Sequence, residues 1–161
     1  KSLGAKGLTM EIDHNNARRL APFAEKHNSY VILHNHGQPG WENFSFEHFL
    51  DYGSRVMLNL DIGHYYGATG IHPNEIITRL HDRIISLHIK DKTAKTAEDP
   101  DKNRPFGQGD TPLKDILQLI KNKKWPIYCD IELEYDIPQG SDAVKEVKKC
   151  VVYCKNLLEN K

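Results

Sequence analysis

Five times along the chain, a short apolar, β-prone run ends on a histidine or an acid and gives way to a segment of helical period. This alternation constrains the fold more than any other feature. Strands are expected at 8–12, 30–33, 56–60, 84–87 and 126–131. Helices are expected at about 16–27, 46–52, 73–80, 113–121 and 141–158. Asp13 or Asn15 can cap the first helix, with Leu20, Phe23 and Ala24 on one face and Pro22 either near its first turn or kinking it. Pro73 suits the first turn of its helix. Val144, Val147, Val151 and Leu158 are expected on the apolar side of the last helix. Loops are expected at Gln38-Pro39-Gly40 and, longer and polar, over 92–111. A long irregular loop is usually functional.

Nearly continuous apolar strands alternating with amphipathic helices imply a parallel sheet covered by helices, an α/β fold. In such folds chemistry collects at the carboxyl ends of the strands. Here Glu11, His34, Asp61, His88 and Glu132 stand at those ends. A divalent metal needs oxygen and imidazole donors converging from different elements, and one donor per strand end supplies them. Asp61, His88 and Glu132 form the expected core, with His34 or Glu11 as the fourth ligand. The mixture suits Mn²⁺, Co²⁺, Mg²⁺ or Zn²⁺. Each residue alone also has a plain reading. Asp61 before a glycine can close a turn, His88 can be a hydrogen-bonded core histidine, and Glu134 competes with Glu132 for its role. The metal reading rests on their recurrence at one place in each unit.

Lys+Arg and Asp+Glu both number 22, so the formal net charge is zero and no basic stripe marks a nucleic-acid surface. No apolar run approaches a membrane span and no signal peptide is visible. A cytoplasmic location is the expectation. Cys129, Cys150 and Cys154 lack a zinc-knuckle spacing and are read as buried small hydrophobes.

Four ordered strings carry a resemblance: Leu60-Asp61-Ile62-Gly63-His64, Leu87-His88-Ile89-Lys90-Asp91, Phe106-Gly107-Gln108-Gly109-Asp110 and Ile131-Glu132-Leu133-Glu134. The chain resembles the second half of the xylose isomerase-like TIM-barrel superfamily. That group holds sugar and sugar phosphate isomerases and epimerases, inosose-type dehydratases and endonuclease IV-like enzymes. The resemblance implies a (β/α)8 barrel of which residues 1–161 supply about five units as one domain, strands 4–8, because eight units need about 250 residues. It implies a divalent metal on Asp61, His88 and Glu132, with His64 and Lys90 as substrate contacts. Where many members have Glu-Asn-His, this chain has His34-Asn35-His36. His34 then takes the ligand place or Glu11 supplies the carboxylate.

The activity implied is isomerisation or epimerisation of a sugar, sugar phosphate or polyol derivative. Glu132 would move the proton, with Glu11 or His34 as opposite partner and His36, His64 and Lys90 on the substrate. The alternatives are a dehydratase acting on a keto-sugar or inosose, an inactive sugar-binding fragment, and an abasic-site endonuclease. A homo-oligomer or a missing amino-terminal barrel half is expected to cover the open sheet edges.

Overall fold

The structure is a computed structural model that describes residues 4–38 and 41–159. Pro39 and Gly40 of the expected loop, and the first three residues of the chain's opening run, lie outside the described residues. Five parallel strands form one sheet in sequential order: β1 (Gly7–Glu11), β2 (Tyr30–His34), β3 (Val56–Asp61), β4 (Ile84–Ile89) and β7 (Tyr128–Ile131). Between them lie α1 (His14–Lys26), α2 (Glu47–Leu50), α3 (Ile62–Thr69), α4 (Asn74–Leu80) and α5 (Leu113–Lys123), and α6 (Ala143–Glu159) follows β7. β5 (Asp91–Lys92) and β6 (Asn103–Arg104) pair antiparallel within the stretch expected to be an irregular loop. The architecture is α/β, an incomplete barrel of five βα units.

The core explains why these segments are strands. Leu33, Val56, Leu58, Leu60 and Leu87 are wholly buried and join one cluster with Ala17, Ile62, Ile77 and Ile116 from the helices. A strand covered by helices reads as a continuous apolar run because its outer side chains meet helix and its inner ones line the barrel. Lys6 Nζ donates to Tyr128 Oη at 3.3 Å, joining the approaches to the first and last strands of the sheet. The sheet is therefore curled, as an arc of a barrel is.

The structure settles two open alternatives and corrects other expectations. Asp13 is the cap of α1, accepting from Asn16 N at 2.9 Å, and Pro22 lies inside the helix. The buried stripe of α1 is Ala17, Ala21 and Ala24, while Phe23 is 60% exposed. It flanks β1, an edge strand whose Leu8 is 70% exposed, so no further layer covers either side chain. Val144 is exposed as well, because α6 turns Glu146 and Cys150 inward. Cys150 is buried, but Cys129 is exposed because β7 is the other sheet edge. The 62–69 helix was not expected at all.

Candidate metal centre

The strand register sets the site. Glu11 pairs with His34, His34 with Asn59, Asp61 with His88, and His88 with Asp130. Partners in parallel register face the same side of a sheet, as do residues two apart along a strand. The carboxyl ends of all five strands thus present their polar residues to one mouth.

Asp61 is the most buried of them, with no side-chain exposure. Two devices fix it. The Asn35 side chain donates from Nδ2 to the Asp61 carbonyl and accepts the Asp61 N–H at Oδ1, each at 3.0 Å. Asp61 then caps α3, its Oδ1 accepting from His64 N at 2.8 Å. Capping directs Oδ1 to the helix and leaves Oδ2 for the mouth. Gly63 permits this sharp strand-to-helix turn, since a Cβ there would lie 2.8 Å from both Lys90 Cβ and the Lys90 carbonyl oxygen.

One donor atom from each of His34, Asp61, His88 and Glu132 lies within 4.8 Å of every other. His34 Nε2 is 3.6 Å from Asp61 Oδ2, and His88 Nδ1 is 3.9 Å from that oxygen and 2.8 Å from Glu132 Oε2. Two of these atoms, His34 Nε2 and Asp61 Oδ2, are buried without a hydrogen-bond partner. Lys90 Nζ stands 3.0 Å from Asp61 Oδ2, an ionic contact without hydrogen-bond alignment. Buried polar atoms are rarely left unpaired, and a cation coordinated by both atoms would satisfy them. The residues present therefore fit a divalent metal. His34 joins this group, whereas Glu11 falls in an adjoining one with His34 and His36. The Glu11 carboxylate is 59% exposed and its Oε2 meets His36 Nδ1 at 2.8 Å.

Lys90 is the hub of the surrounding charge. It is almost fully buried, yet its Nζ reaches Glu132 Oε2 at 2.7 Å, Glu134 Oε2 at 2.5 Å and His64 Nε2 at 2.8 Å. Burial works against its charge, but Asp61, Glu132 and Glu134 overcome that and hold the ammonium above its ordinary range. Burial likewise disfavours charge on Asp61, and His34, Lys90 and His64 reverse it, so its carboxyl stays well below the usual range. His64 is pushed down to about 4 by burial and by Lys90 and Lys92, against the pull of Asp61 and Glu134. It is neutral at pH 7. His88 is also disfavoured by burial, but Asp130 and Glu132 lift it to about 9.

The third string has a structural part. Asp91 accepts from the N–H groups of Gly107, Gly109 and Thr111 at 2.8, 3.1 and 3.2 Å. A Cβ at Gly109 would lie 2.3 Å from Asp91 Oδ1, so the loop approaches this closely only as glycine. The carboxylate next to Lys90 thus ties down the long connection.

All eight residues expected at the site, Glu11, His34, His36, Asp61, His64, His88, Lys90 and Glu132, are at this one end. Sequence reasoning did not find Asn35, Asn59, Lys92 or Asp130. Lys92 is buried, with Nζ 3.1 Å from His64 Nδ1 and 2.8 Å from Asp101 Oδ1. The available signal was period two: Lys92 is two residues past Lys90, Asp130 two before Glu132, and Asn59 two before Asp61.

With the barrel arc and its polar mouth described, the class is an α/β barrel protein with ionisable groups clustered at the strand ends. A family model described as xylose isomerase-like TIM barrel matches residues 14–154, and the chain belongs to that family. Among solved structures it is similar to a xylose isomerase domain protein from Planctomyces limnophilus, at 16% identity and TM-score 0.71, covering 96% of this chain and 59% of that one. It is similar to a sugar phosphate isomerase/epimerase from Parabacteroides distasonis, at 21% identity and TM-score 0.65, covering 99% and 61%. A D-tagatose 3-epimerase-like protein aligns at 18% identity and TM-score 0.64, covering 98% and 65%. The chain thus spans about 60% of the length of these structures. No curated protein matches it. No helix among the described residues is long and apolar enough to cross a membrane.

Proposed function

We propose that this chain forms the catalytic mouth of a divalent-metal-dependent isomerase or epimerase acting on a sugar, sugar phosphate or polyol derivative. The observation that carries the reading is the four-donor group of His34, Asp61, His88 and Glu132 with two buried, unpartnered donor atoms. The family and the similarity to proteins described as sugar isomerases and epimerases support the substrate class.

A divalent cation held by His34, Asp61, His88 and Glu132 would supply Lewis acidity, which acidifies a C–H beside a polarised carbonyl. This chain's residues do the rest. Glu132 on one side of the mouth accepts the carbon-bound proton as a carboxylate. Glu11, at the opposite sheet edge and open to solvent, stands to return or take a proton on the other face. His34 and His36 lie between Glu11 and the centre and can serve the same end. Lys90, held cationic, stabilises negative charge developing on the substrate oxygens. His64 lines the mouth beside Lys90, its two ring nitrogens met by the Lys90 and Lys92 ammonium groups. Removing a proton from one carbon and returning one to that carbon on its other face gives epimerisation; returning it to the neighbouring carbon, with a proton passed between the two oxygens, gives isomerisation.

The test has two parts. Purified protein is assayed for bound Mn²⁺, Co²⁺, Mg²⁺ and Zn²⁺, then incubated with ketoses and their phosphates in deuterated water. Metal binding together with solvent deuterium at a substrate carbon, without loss of water, supports the reading. Absence of metal binding, with Asp61→Ala indistinguishable from the unsubstituted chain, refutes it.

A further inference from the structure

We propose that Asp130, with Asn59 beside it, is a positioning residue that fixes His88 with Nδ1 facing the metal centre and Nε2 carrying the ring proton. The inference rests on the metal reading above.

An imidazole can give a metal only one nitrogen lone pair, and which nitrogen is free depends on what the other one meets. His88 Nδ1 points into the four-donor group, 2.8 Å from Glu132 Oε2. Nε2 points away from it, 3.1 Å from Asp130 Oδ2 and 2.7 Å from the Asn59 amide. A carboxylate only accepts hydrogen bonds. Nδ1 also meets a carboxylate, Glu132 Oε2, but a cation held by both would stand between them, whereas nothing would come between Nε2 and Asp130 Oδ2. With the Nδ1 lone pair given to that cation, the ring hydrogen stays on Nε2 and Asp130 accepts it. The opposite form would set the Nε2 lone pair against a carboxylate oxygen.

Asn59 completes the shell. Ser86 Oγ lies 2.9 Å from Asn59 Oδ1, with Nδ2 turned to His88 Nε2. Beside an Nε2–H that arrangement opposes two donors. Rotating the amide by half a turn, which exchanges two groups of nearly equal size, gives Oδ1 to Nε2–H and Nδ2 to Ser86 Oγ. The single Nε2–H is then shared between Asp130 Oδ2 and Asn59 Oδ1. Asn59 is buried while the Asp130 side chain is 53% exposed, so Asp130 can be replaced without opening the core. Asp130 and Glu132 are two residues apart on one strand end. That strand delivers both a donor and the carboxylate that orients its neighbour.

The experiment is a titration of the chain with Co²⁺ alone, followed by its visible d–d bands, for the unsubstituted protein, Asp130→Asn and Asp130→Ala. Outer-shell partners of ligating histidines typically account for about 10–100-fold in metal affinity. Asp130→Asn is expected near the lower end, because its amide oxygen still accepts, and Asp130→Ala near the upper. The bands shift while the thermal midpoint without metal stays within experimental error. The loss persists at about 1 M salt, where the Debye length is about 3 Å. Unchanged affinity in both variants overturns the assignment. A loss that vanishes at high salt marks a through-space charge effect and overturns it too. If the unsubstituted chain binds no Co²⁺, the metal reading falls and takes this inference with it. That failure is distinguishable because it precedes any substitution.

Discussion

β1 and β3 are parallel strands of similar length that each end on an acid, Glu11 and Asp61. Their surroundings are opposite. β3 has neighbours on both sides, its Leu58 and Leu60 are wholly buried, and its acid is fully enclosed. β1 is an edge, its Leu8 is 70% exposed, and its acid is mostly in water. A residue at a strand end becomes a strongly held donor when the strand is covered on both flanks. The same residue at an edge stays a largely exposed, hydrated group. Position along the strand gives the mouth its membership, and position across the sheet decides each member's strength.

The stability of the two strands tests this first. Leu58→Ala should cost roughly 2–5 kcal/mol, whereas Leu8→Ala should stay within about 0.5 kcal/mol. Urea unfolding midpoints measure both, and similar losses would erase the distinction. The two acids come next. Asp61→Ala should weaken metal binding by more than about 100-fold, beyond the outer-shell range, and Glu11→Ala by less than about tenfold. Calorimetric titration decides, and a larger loss at Glu11 would make it the fourth ligand in place of His34. Smaller still is the close approach behind Asp61. Gly63→Ala should destabilise by about 1–3 kcal/mol through crowding against β4, seen as a lower thermal midpoint.

The smallest effect concerns the far edge, where a polar lock fastens the first turns of α6 to the segment before it, while later residues such as Leu157 and Leu158 pack on the core. Glu146 is 2% exposed and accepts from Lys149 Nζ at 2.6 Å, from Tyr135 Oη at 3.0 Å and from Ser141 Oγ. The lysine and then the serine, against burial, bring its carboxyl down to about 2 from 4.5. A group depressed on folding binds fewer protons in the native state, so stability rises with pH through this window. The contribution is fully present above about 4.5 and is lost as pH falls toward about 2. Glu146→Gln should therefore be less stable than the parent at pH 6, with the gap closing between pH 4.5 and 2 in thermal scans. A pH-independent gap would mean the lock works by shape alone.

Much of this was legible in the sequence, for identifiable reasons. The covered strands betray themselves by nearly continuous apolar runs such as Tyr30-Val31-Ile32-Leu33. The mouth betrays itself because polar residues recur where each run stops. α3 was hidden because Ile62, Gly63, His64, Tyr65 and Gly67 are all buried, so the segment lacks the polar face that marks a surface helix. The exposure of Phe23, Val144 and Cys129 was hidden because it depends on what lies beyond the sheet edges. Asn35, Asn59, Lys92 and Asp130 were hidden because their work depends on register across strands, which no single segment encodes. The choice between His34 and Glu11 was open for the same reason.

Asp91 has a further consequence. Its three amide contacts clamp the base of the 93–110 connection, and Thr93 closes the neck by donating to the Asp99 carbonyl and accepting from Lys102 N. Ala94 N adds a bond to Asp110 Oδ2, and residues 95–98 lie beyond these fastenings. Chain length and chemistry at that tip can drift or be grafted while the ammonium of Lys90 keeps its place. The molecule separates a replaceable tip from a fixed charge, and a designer could change the first while leaving the second alone.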